Sequence, residues 1–208
     1  MYSADFIFVL KWWFLFLLIG LSFLPFTSKI FHPFIDRGYI FSKIIGTLLI
    51  SYSIFILSYF HILKFTQINL ILVWILLVVI SYLLLKKQRL ELKESIRLFI
   101  VEEFIFFVCL LIWSIVRSYQ PSIHDLEKFM DFGFVNSILR TEYFPPRDMW
   151  LTPFSINYYY FGHLFTAVLT KLSQIPSFIS FNLMIATIFA FTFSASFSLG
   201  INLIQKIK

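Results

Sequence analysis

The chain alternates between long apolar runs and short polar connections. The apolar runs are Phe6–Phe26, Tyr39–Phe60, Ile68–Leu85, Leu98–Val116, Asn157–Leu172 and Phe178–Ile204. Most of these runs are near the roughly 20 residues that an α-helix needs to cross the hydrocarbon core of a bilayer. The fifth run is shorter and should begin in the interfacial zone. The pattern predicts an all-α membrane protein with about six transmembrane helices.

Composition agrees with this class. Hydrophobic residues make up 60% of the chain, charged residues only 13%, and the mean hydropathy is +0.87. The net charge of +6 does not indicate a nucleic-acid partner, because the basic residues cluster between the apolar runs, as membrane topology requires. Cys109 is the single cysteine, which excludes an intrachain disulfide and a cysteine metal site. The expected partner is the lipid bilayer.

The basic residues also predict the orientation. Five of them lie between the third and fourth runs, at Lys86, Lys87, Arg89, Lys93 and Arg97. The positive-inside rule makes this segment cytoplasmic, so the N-terminus and the stretch Arg117–His163 should be extracytoplasmic in a multi-pass protein of the cell membrane. Six spans would also place the C-terminus outside, where Lys206 and Lys208 disagree with the rule. We therefore expect the chain to be the N-terminal part of a longer protein.

Polar chemistry is concentrated in Arg117–His163, which holds five of the eleven acidic residues and four of the seven prolines. Function is expected in polar segments between membrane spans. We divide the chain into four N-terminal membrane helices (residues 1–116), an external polar loop (117–163) and two further membrane helices (164–208).

The first half of the loop predicts a helix over Asp125–Leu139. Asp125 is a suitable N-cap residue. Apolar residues recur at helical spacing, at Leu126, Phe129, Met130, Gly133, Phe134 and Ile138. This spacing describes an amphipathic helix that lies on the membrane surface.

Two acids share one face of that helix. Glu127 and Asp131 are four residues apart, so their Cβ atoms are about 5–6 Å apart, and their like charges need a positive partner. A divalent metal ion, Lys128, Arg140 or a phosphate-bound metal could be that partner. Alternatively, Asp125 caps the helix and Glu127 interacts with its dipole.

The second half of the loop reads YFPPRDMWLTPFSINYYYFGH. Its consecutive prolines stop the helix, and Trp150 and the tyrosines are typical interfacial anchors. Three consecutive tyrosines on a helix are rotated by about 100° each, so Tyr158–Tyr160 cannot all contact one ligand. His163 is either a proton carrier or a polar group at the headgroup level.

Two further acids, Glu102 and Glu103, lie inside the fourth run. An acid within a span is a candidate functional residue. Both are close to the predicted cytoplasmic end, so we expect them to extend toward water or to pair with Arg97.

The runs EKFMDFGFVNSILRTEYFPPRDMW and INYYYFGH resemble the prokaryotic multipass membrane proteins named for their YYY motif, a family of uncharacterised function. The chain departs from that pattern at Phe129 and Met149, where proline is usual, and at Thr152–Ser155, where a glycine is usual. Members of this family are several times longer, which implies that the chain is an N-terminal piece.

The loop is also similar, more distantly, to the first external loop of GT-C glycosyltransferases, which use polyprenyl-phosphate sugars. This resemblance implies a GT-C-like fold, a lipid-linked sugar donor and an extracytoplasmic acceptor. It places Glu127 at the catalytic acid, with Asp148–Pro153 (DMWLTP) following at a comparable distance.

Sugar transfer to a hydroxyl needs a carboxylate as base and a cationic group for the leaving phosphate. The predicted catalytic residues are Glu127, Asp131 and Asp148. The predicted substrate-binding residues are Arg140, Arg147, Asn157, Tyr158, Tyr159, Tyr160 and His163. A divalent metal ion is a candidate cofactor, with Glu127 and Asp131 as its ligands.

Two non-catalytic alternatives remain. The acids of the loop could serve a transporter part or assembly scaffold, completed by the missing C-terminal part or by a partner subunit. The basic and aromatic residues alone would suffice for a module that binds lipid head groups.

Overall fold

The computed structural model describes residues 3–85, 95–124 and 127–207. Over these ranges the chain forms seven α-helices and no sheet, apart from one isolated bridge between Arg147 and Ser155. The helices are α1 (Ser3–Ile30), α2 (Tyr39–Tyr59), α3 (Gln67–Leu85), α4 (Ile96–Tyr119), α5 (Lys128–Arg140), α6 (Phe161–Ser173) and α7 (Ser177–Ile207). The predicted all-α class is confirmed.

Four helices are long and apolar enough to cross a membrane, within α1, α2, α4 and α7. The apolar part of α3, Gln67–Leu83, is slightly shorter. These five helices coincide with five of the six predicted apolar runs, so the chain is a multi-pass helical membrane protein. The basic segment that predicts its orientation lies mostly outside the described residues, and the orientation stays a prediction.

One end of the bundle, which we call the Asp36 end, consists of residues 31–38, the start of α4 and the last turns of α7. The Ser95 hydroxyl donates to the carbonyl of Ile35 at 2.5 Å, and the Ile35 N–H donates to Asn202 Oδ1 at 2.8 Å. These bonds tie α4 and α7 to the connection between α1 and α2.

The opposite end, which we call the loop end, consists of residues 60–66, 120–124 and 127–160. The Phe65 N–H donates to the carbonyl of Glu142 at 2.7 Å, and Lys64 forms an ion pair with the Glu142 carboxylate at 2.7 Å. Asn182 of α7 accepts a bond from the Arg117 guanidinium of α4 at 2.5 Å and donates to the loop carbonyl of Pro121 at 3.1 Å. The long polar loop is therefore held on the ends of α2, α4 and α7.

The fifth predicted span does not cross the bundle. Its helix, α6, begins at Phe161 instead of Asn157, and its 13 residues cover about 20 Å of a core about 30 Å thick. The ring of Phe161 packs on Phe55 in the last third of α2, with centroids 5.6 Å apart. After its last turn, Gln174 bonds to Gln67 at the start of α3, at 2.7 Å. Both ends of α6 thus lie near the loop end.

This arrangement corrects the expected position of the C-terminus. Ser177, at the start of α7, bonds to Asn136 of the loop at 2.9 Å, whereas Asn202 lies at the Asp36 end. Because α7 crosses and α6 does not, the end of α7 lies at the bundle end opposite to the loop. The disagreement between the basic C-terminal residues and the positive-inside rule, which arose from counting six spans, is removed.

Close packing of α1 against α2 depends on a glycine. A Cβ atom added to Gly46 would lie 2.5 Å from Phe23 Cδ2 and 2.7 Å from Ile19 Cγ2, both in the core. These are shorter than van der Waals contact distances, so α1 and α2 approach closely because position 46 has no side chain.

We predict that Gly46→Ala destabilises the protein by about 1–3 kcal/mol, because overpacking a core forces side chains and backbone to shift. The measurement is thermal unfolding in detergent. Gly200→Ala is the matched control, since its Cβ would meet no atom within 4 Å and alanine is the better helix former. Equal unfolding temperatures for the two variants would contradict the packing argument.

Candidate functional site

Helix α5 is the element on which the loop end is built. Its apolar residues Phe134, Val135 and Ile138 are buried, and this face packs against α6. The predicted helix is confirmed over residues 128–139, while its proposed cap, Asp125, lies outside the described residues. Glu127 occupies the N-cap position without a side-chain capping bond. The position of α5 along the membrane surface stays a prediction.

The structure brings together two segments that are distant in the sequence, the N-terminal half of α5 and residues 158–163. His163 Nε2, in the first turn of α6, lies 3.6 Å from Asp131 Oδ1. The ring of Phe134 contacts both His163 and Tyr158, with centroids 5.4 and 6.0 Å apart. Burial lowers the pKa of His163, and the carboxylate of Asp131 opposes this shift. A neutral imidazole beside a carboxylate can accept and return a proton.

The three consecutive tyrosines precede α6 and have different environments. Tyr158 and Tyr159 are exposed, with ring centroids 3.9 Å apart. Interaction with Tyr158 raises the pKa of Tyr159 to about 12, and the charges of Glu127 and Asp131 contribute to the shift. Tyr160 instead stacks on the buried ring of Phe144, with centroids 6.4 Å apart. The three rings therefore do not share one ligand position.

We predict that Asp131→Asn lowers the pKa of His163 further, because the variant removes the charge that stabilises imidazolium. Burial keeps His163 neutral in the fold. Its contribution to the stability is therefore present at a pH above the usual pKa of histidine, and it is lost as the pH falls. NMR titration of labelled histidines measures the shift. Glu142→Gln is the control, since Glu142 pairs with Lys64. An unchanged His163 titration in Asp131→Asn would contradict the pair.

A polar cavity of about 990 Å³ lies on the opposite face of α5. Three predicted site residues line it: Arg140, Arg147 and Asp148. Asn136, Glu142 and Tyr143 add further polar groups to its wall. Two guanidinium groups in one cavity suit a phosphate, because the planar fork of arginine binds phosphate oxygens in pairs.

The segment Pro146–Ile156 folds back on itself to form one wall of this cavity. The Ile156 N–H donates to the carbonyl of Pro146 at 2.9 Å, and the Asp148 N–H donates to that of Phe154 at 2.8 Å. Asp148 Oδ1 accepts the N–H groups of Trp150 and Leu151 at 2.8 and 2.9 Å. The Asp148 carboxylate is thus held in a fixed position.

Helix α5 separates the predicted site residues into two groups. The acid–base group consists of Glu127, Asp131, Tyr158, Tyr159 and His163. The cavity group consists of Arg140, Arg147 and Asp148. Met149 packs over Gly133 on the cavity side of α5, where an added Cβ would lie 2.1 Å from its sulfur. Asn157 is exposed, and Tyr160 belongs to the packing beneath the loop.

Glu127 and Asp131 are the predicted ligands of a divalent metal ion, and the structure describes both residues. Within the described ranges no three His, Cys, Asp or Glu side chains lie close enough to hold a metal ion together. Asp131 has His163 beside it and Glu127 one turn away. The metal ion stays a prediction.

A second cavity, of about 700 Å³, was not predicted from the sequence. It is mainly apolar, and Val9, Phe129, Phe132, Phe178 and Leu183 contribute to its lining. Arg117 and His124 lie at its wall. The residues come from α1, α4, α5, α7 and the loop, so no local pattern could have indicated it. Its extent suits an alkyl or isoprenoid chain.

The acids of α4 also differ from the prediction. Glu103 pairs with Lys43 of α2 at 2.6 Å, and Glu102 is fully buried. Neither forms an ion pair with Arg97 among the described residues. The sequence signal for this arrangement is Lys43, a basic residue inside the apolar run Tyr39–Phe60.

No curated protein and no solved structure matches the chain significantly. These comparisons do not support the expected resemblance to GT-C glycosyltransferases. One family model does match, over residues 49–208, and its description is "Uncharacterized membrane protein (DUF2298)". The match includes α3–α7, most of α2 and the whole loop, and on this basis the chain belongs to the DUF2298 family of uncharacterized membrane proteins.

Proposed function

We propose that this protein transfers a sugar from a polyprenyl-phosphate donor to an acceptor hydroxyl on the extracytoplasmic face of the membrane. The observation that carries the proposal is the pair of adjoining cavities at the loop end. One is apolar and the other is polar with two arginines, and Phe129 and Phe132 line both. An amphipathic donor has the same division into an apolar chain and an anionic head.

The donor is placed with its isoprenoid chain in the apolar cavity and its phosphate at Arg140 and Arg147. Burial of an apolar chain supplies affinity in proportion to the area removed from water. The arginines add charge-assisted hydrogen bonds that fix the position of the phosphate. The sugar then lies in the polar cavity, between Asn136, Tyr143 and Asp148.

Asp148 is the base in this arrangement. Its carboxylate takes the proton from the acceptor hydroxyl, whose oxygen forms a bond to the anomeric carbon. The bond from that carbon to the phosphate oxygen breaks, and polyprenyl phosphate leaves with the bonding electrons. Arg140 and Arg147 stabilise the charge that develops on the leaving phosphate. We favour Asp148 over Glu127 because the cavity unites an acid with both cations.

The acid–base group on the other face of α5 is the second candidate for the catalytic base. Its Asp131–His163 pair has suitable chemistry, and Glu127, Tyr158 and Tyr159 surround it. It is placed second because Arg140 and Arg147 line the cavity on the other face of α5, and no member of this group does.

A test of donor binding uses Arg140→Gln and Arg147→Gln. Each should weaken binding of a polyprenyl-phosphate sugar about 10–100-fold, since hydrogen bonds to a charged group contribute about 1.5–3 kcal/mol. Binding is measured with the purified protein in nanodiscs. Arg97→Gln is the control, because Arg97 is exposed on α4 at the Asp36 end.

Equal binding by all three variants and the parent would contradict the proposed phosphate position. A lipid-binding module is the rival function, supported by the exposed side chains of Trp150, Phe154 and Tyr159. Donor binding that depends on the arginines, without transfer to any acceptor, would favour that rival.

A further inference from the structure

Three acids and one lysine that the proposed function does not use are buried or nearly buried at the Asp36 end and beside it in α2. Asp36, Lys43 and Glu102 are fully buried, and the side chain of Glu103 is only 14% exposed. They come from three elements: the 31–38 connection, α2 and α4. Buried charges are costly unless they are paired and hydrogen-bonded. The partners of each group therefore determine whether it is charged or neutral.

Glu103 and Lys43 satisfy each other. The Lys43 ammonium lies 2.6 Å from Glu103 Oε2 and over the ring of Phe106, 4.4 Å from its centroid. Glu103 also accepts hydrogen bonds from the Tyr39 hydroxyl at 2.5 Å and from the Trp13 indole N–H at 2.6 Å. This carboxylate has its negative charge balanced and its oxygens bonded.

Glu102, the adjacent residue, lacks such partners. Among the described residues neither of its carboxyl oxygens has a hydrogen-bond donor. The Asp36 carboxyl, the Ser198 hydroxyl and the Ile40 N–H lie around it, although neither of these two donors reaches its oxygens in hydrogen-bonding geometry. Asp36 Oδ1 accepts the Gly38 N–H at 3.0 Å, and Oδ2 accepts the hydroxyl of Ser198 from α7.

The nearby cation, Lys43, already bonds to another carboxylate. Lys43 is close enough to Glu102 to interact with its charge, but its ammonium bonds to Glu103. Arg37 donates instead to the carbonyl of His32 at 2.5 Å. The ion pairs of the described residues therefore give neither Asp36 nor Glu102 a cation of its own.

Two neighbouring carboxyl groups that are both removed from water cannot both be ionised at low cost. We propose that Asp36 and Glu102 form a binding site for one proton, which Glu102 carries and donates to Asp36 in a hydrogen bond. The Gly38 N–H and the Ser198 hydroxyl stabilise Asp36 as the carboxylate. The proton gives one of the unpartnered Glu102 oxygens a hydrogen bond, which it donates to Asp36.

A metal cation fits this position less well. Divalent ions such as Ca²⁺ take about 6–8 oxygen ligands, whereas this position has two carboxyl groups and one hydroxyl. Both Asp36 oxygens already accept bonds from Gly38 and Ser198. A proton needs only two oxygens, which the two carboxyl groups provide.

The proton also joins three elements, because the pair lies between the 31–38 connection, α4 and the end of α7. Tyr39 and Lys43 face it from α2, and Glu103 lies beside it on α4. Loss of the proton would place two like charges among these elements. As the pH rises, the folded state keeps this proton after the unfolded chain has released its own. The stability of the fold should therefore fall with increasing pH.

Infrared difference spectroscopy tests the proposal on the purified 208-residue protein. The parent should show the carbonyl stretch of a protonated carboxylic acid at neutral pH, which disappears on titration to alkaline pH. Glu102→Gln should lose that band. Glu142→Gln should retain it, because Glu142 is an exposed carboxylate paired with Lys64.

The parent spectrum is decisive even if a variant fails to fold, since absence of the band at neutral pH would overturn the proposal. Persistence of the band in folded Glu102→Gln would overturn it as well. Thermal unfolding across pH gives a second measurement, in which stability should fall with pH for the parent and less for Glu102→Gln. Stabilisation by added Na⁺ or Ca²⁺ at constant pH, lost in Glu102→Gln, would assign the site to a metal cation instead.

Discussion

Asp148→Asn should lower the rate of sugar transfer about 10²–10⁴-fold, the usual effect of losing a general base. Asparagine retains an oxygen that can accept the N–H groups of Trp150 and Leu151, so the turn should keep its shape. The variant removes only the negative charge and the ability to take a proton. Transfer from a polyprenyl-phosphate sugar is measured with matched amounts of folded protein.

Glu127→Gln and Asp131→Asn are the comparison variants, because they change acids on the other face of α5. Each should reduce transfer much less than Asp148→Asn, while binding of the donor stays unchanged in all three. The reverse order of rates would move the chemistry to the acid–base group. A parent without transfer to any acceptor hydroxyl would contradict the enzymatic function.

Lys43→Met should destabilise the fold by about 3–5 kcal/mol, because removing one partner of a buried ion pair leaves the other charge uncompensated. The side chain of Lys43 is 0% exposed, and that of Glu103 is 14% exposed. Methionine preserves much of the apolar stem that lies against Phe106. The free energy of unfolding is measured in detergent at neutral pH.

Two variants serve as controls for this expectation. Lys64→Met breaks the exposed pair with Glu142 and should leave stability unchanged, since surface ion pairs contribute little. Adding Glu103→Gln to Lys43→Met should restore part of the lost stability by removing the unpaired charge. Equal stability of Lys43→Met and Lys64→Met would show that the buried pair is not required for the fold.

The apolar pattern predicted the membrane helices well, because crossing a bilayer requires about 20 apolar residues in succession. It failed at α6, whose apolar residues are buried against other helices. Leu164, Ala167, Val168 and Leu169 are fully buried in the protein core, and hydropathy alone does not distinguish a protein interior from lipid. The error in the number of spans also displaced the predicted C-terminus.

The candidate site was predicted only in part for a similar reason. Helical spacing placed Glu127 and Asp131 on one face, and the structure puts His163 beside Asp131 at 3.6 Å. Spacing within one helix contains no information on the neighbouring segments, so the position of His163 beside Asp131 and that of Arg147 in the cavity appeared only in the fold. The Lys43–Glu103 pair joins residues 60 positions apart, a contact that local sequence patterns do not specify.

The donor position is tested most directly by photo-cross-linking. A polyprenyl-phosphate sugar with a photoreactive group on the sugar is bound to the parent protein, and the modified peptides are identified by mass spectrometry. We predict labelling of the polar cavity at residues 136–149, which excess unmodified donor suppresses and which Arg140→Gln/Arg147→Gln abolishes. Labelling confined to the Asp36 end, or labelling that excess donor does not suppress, would contradict a donor site in this cavity.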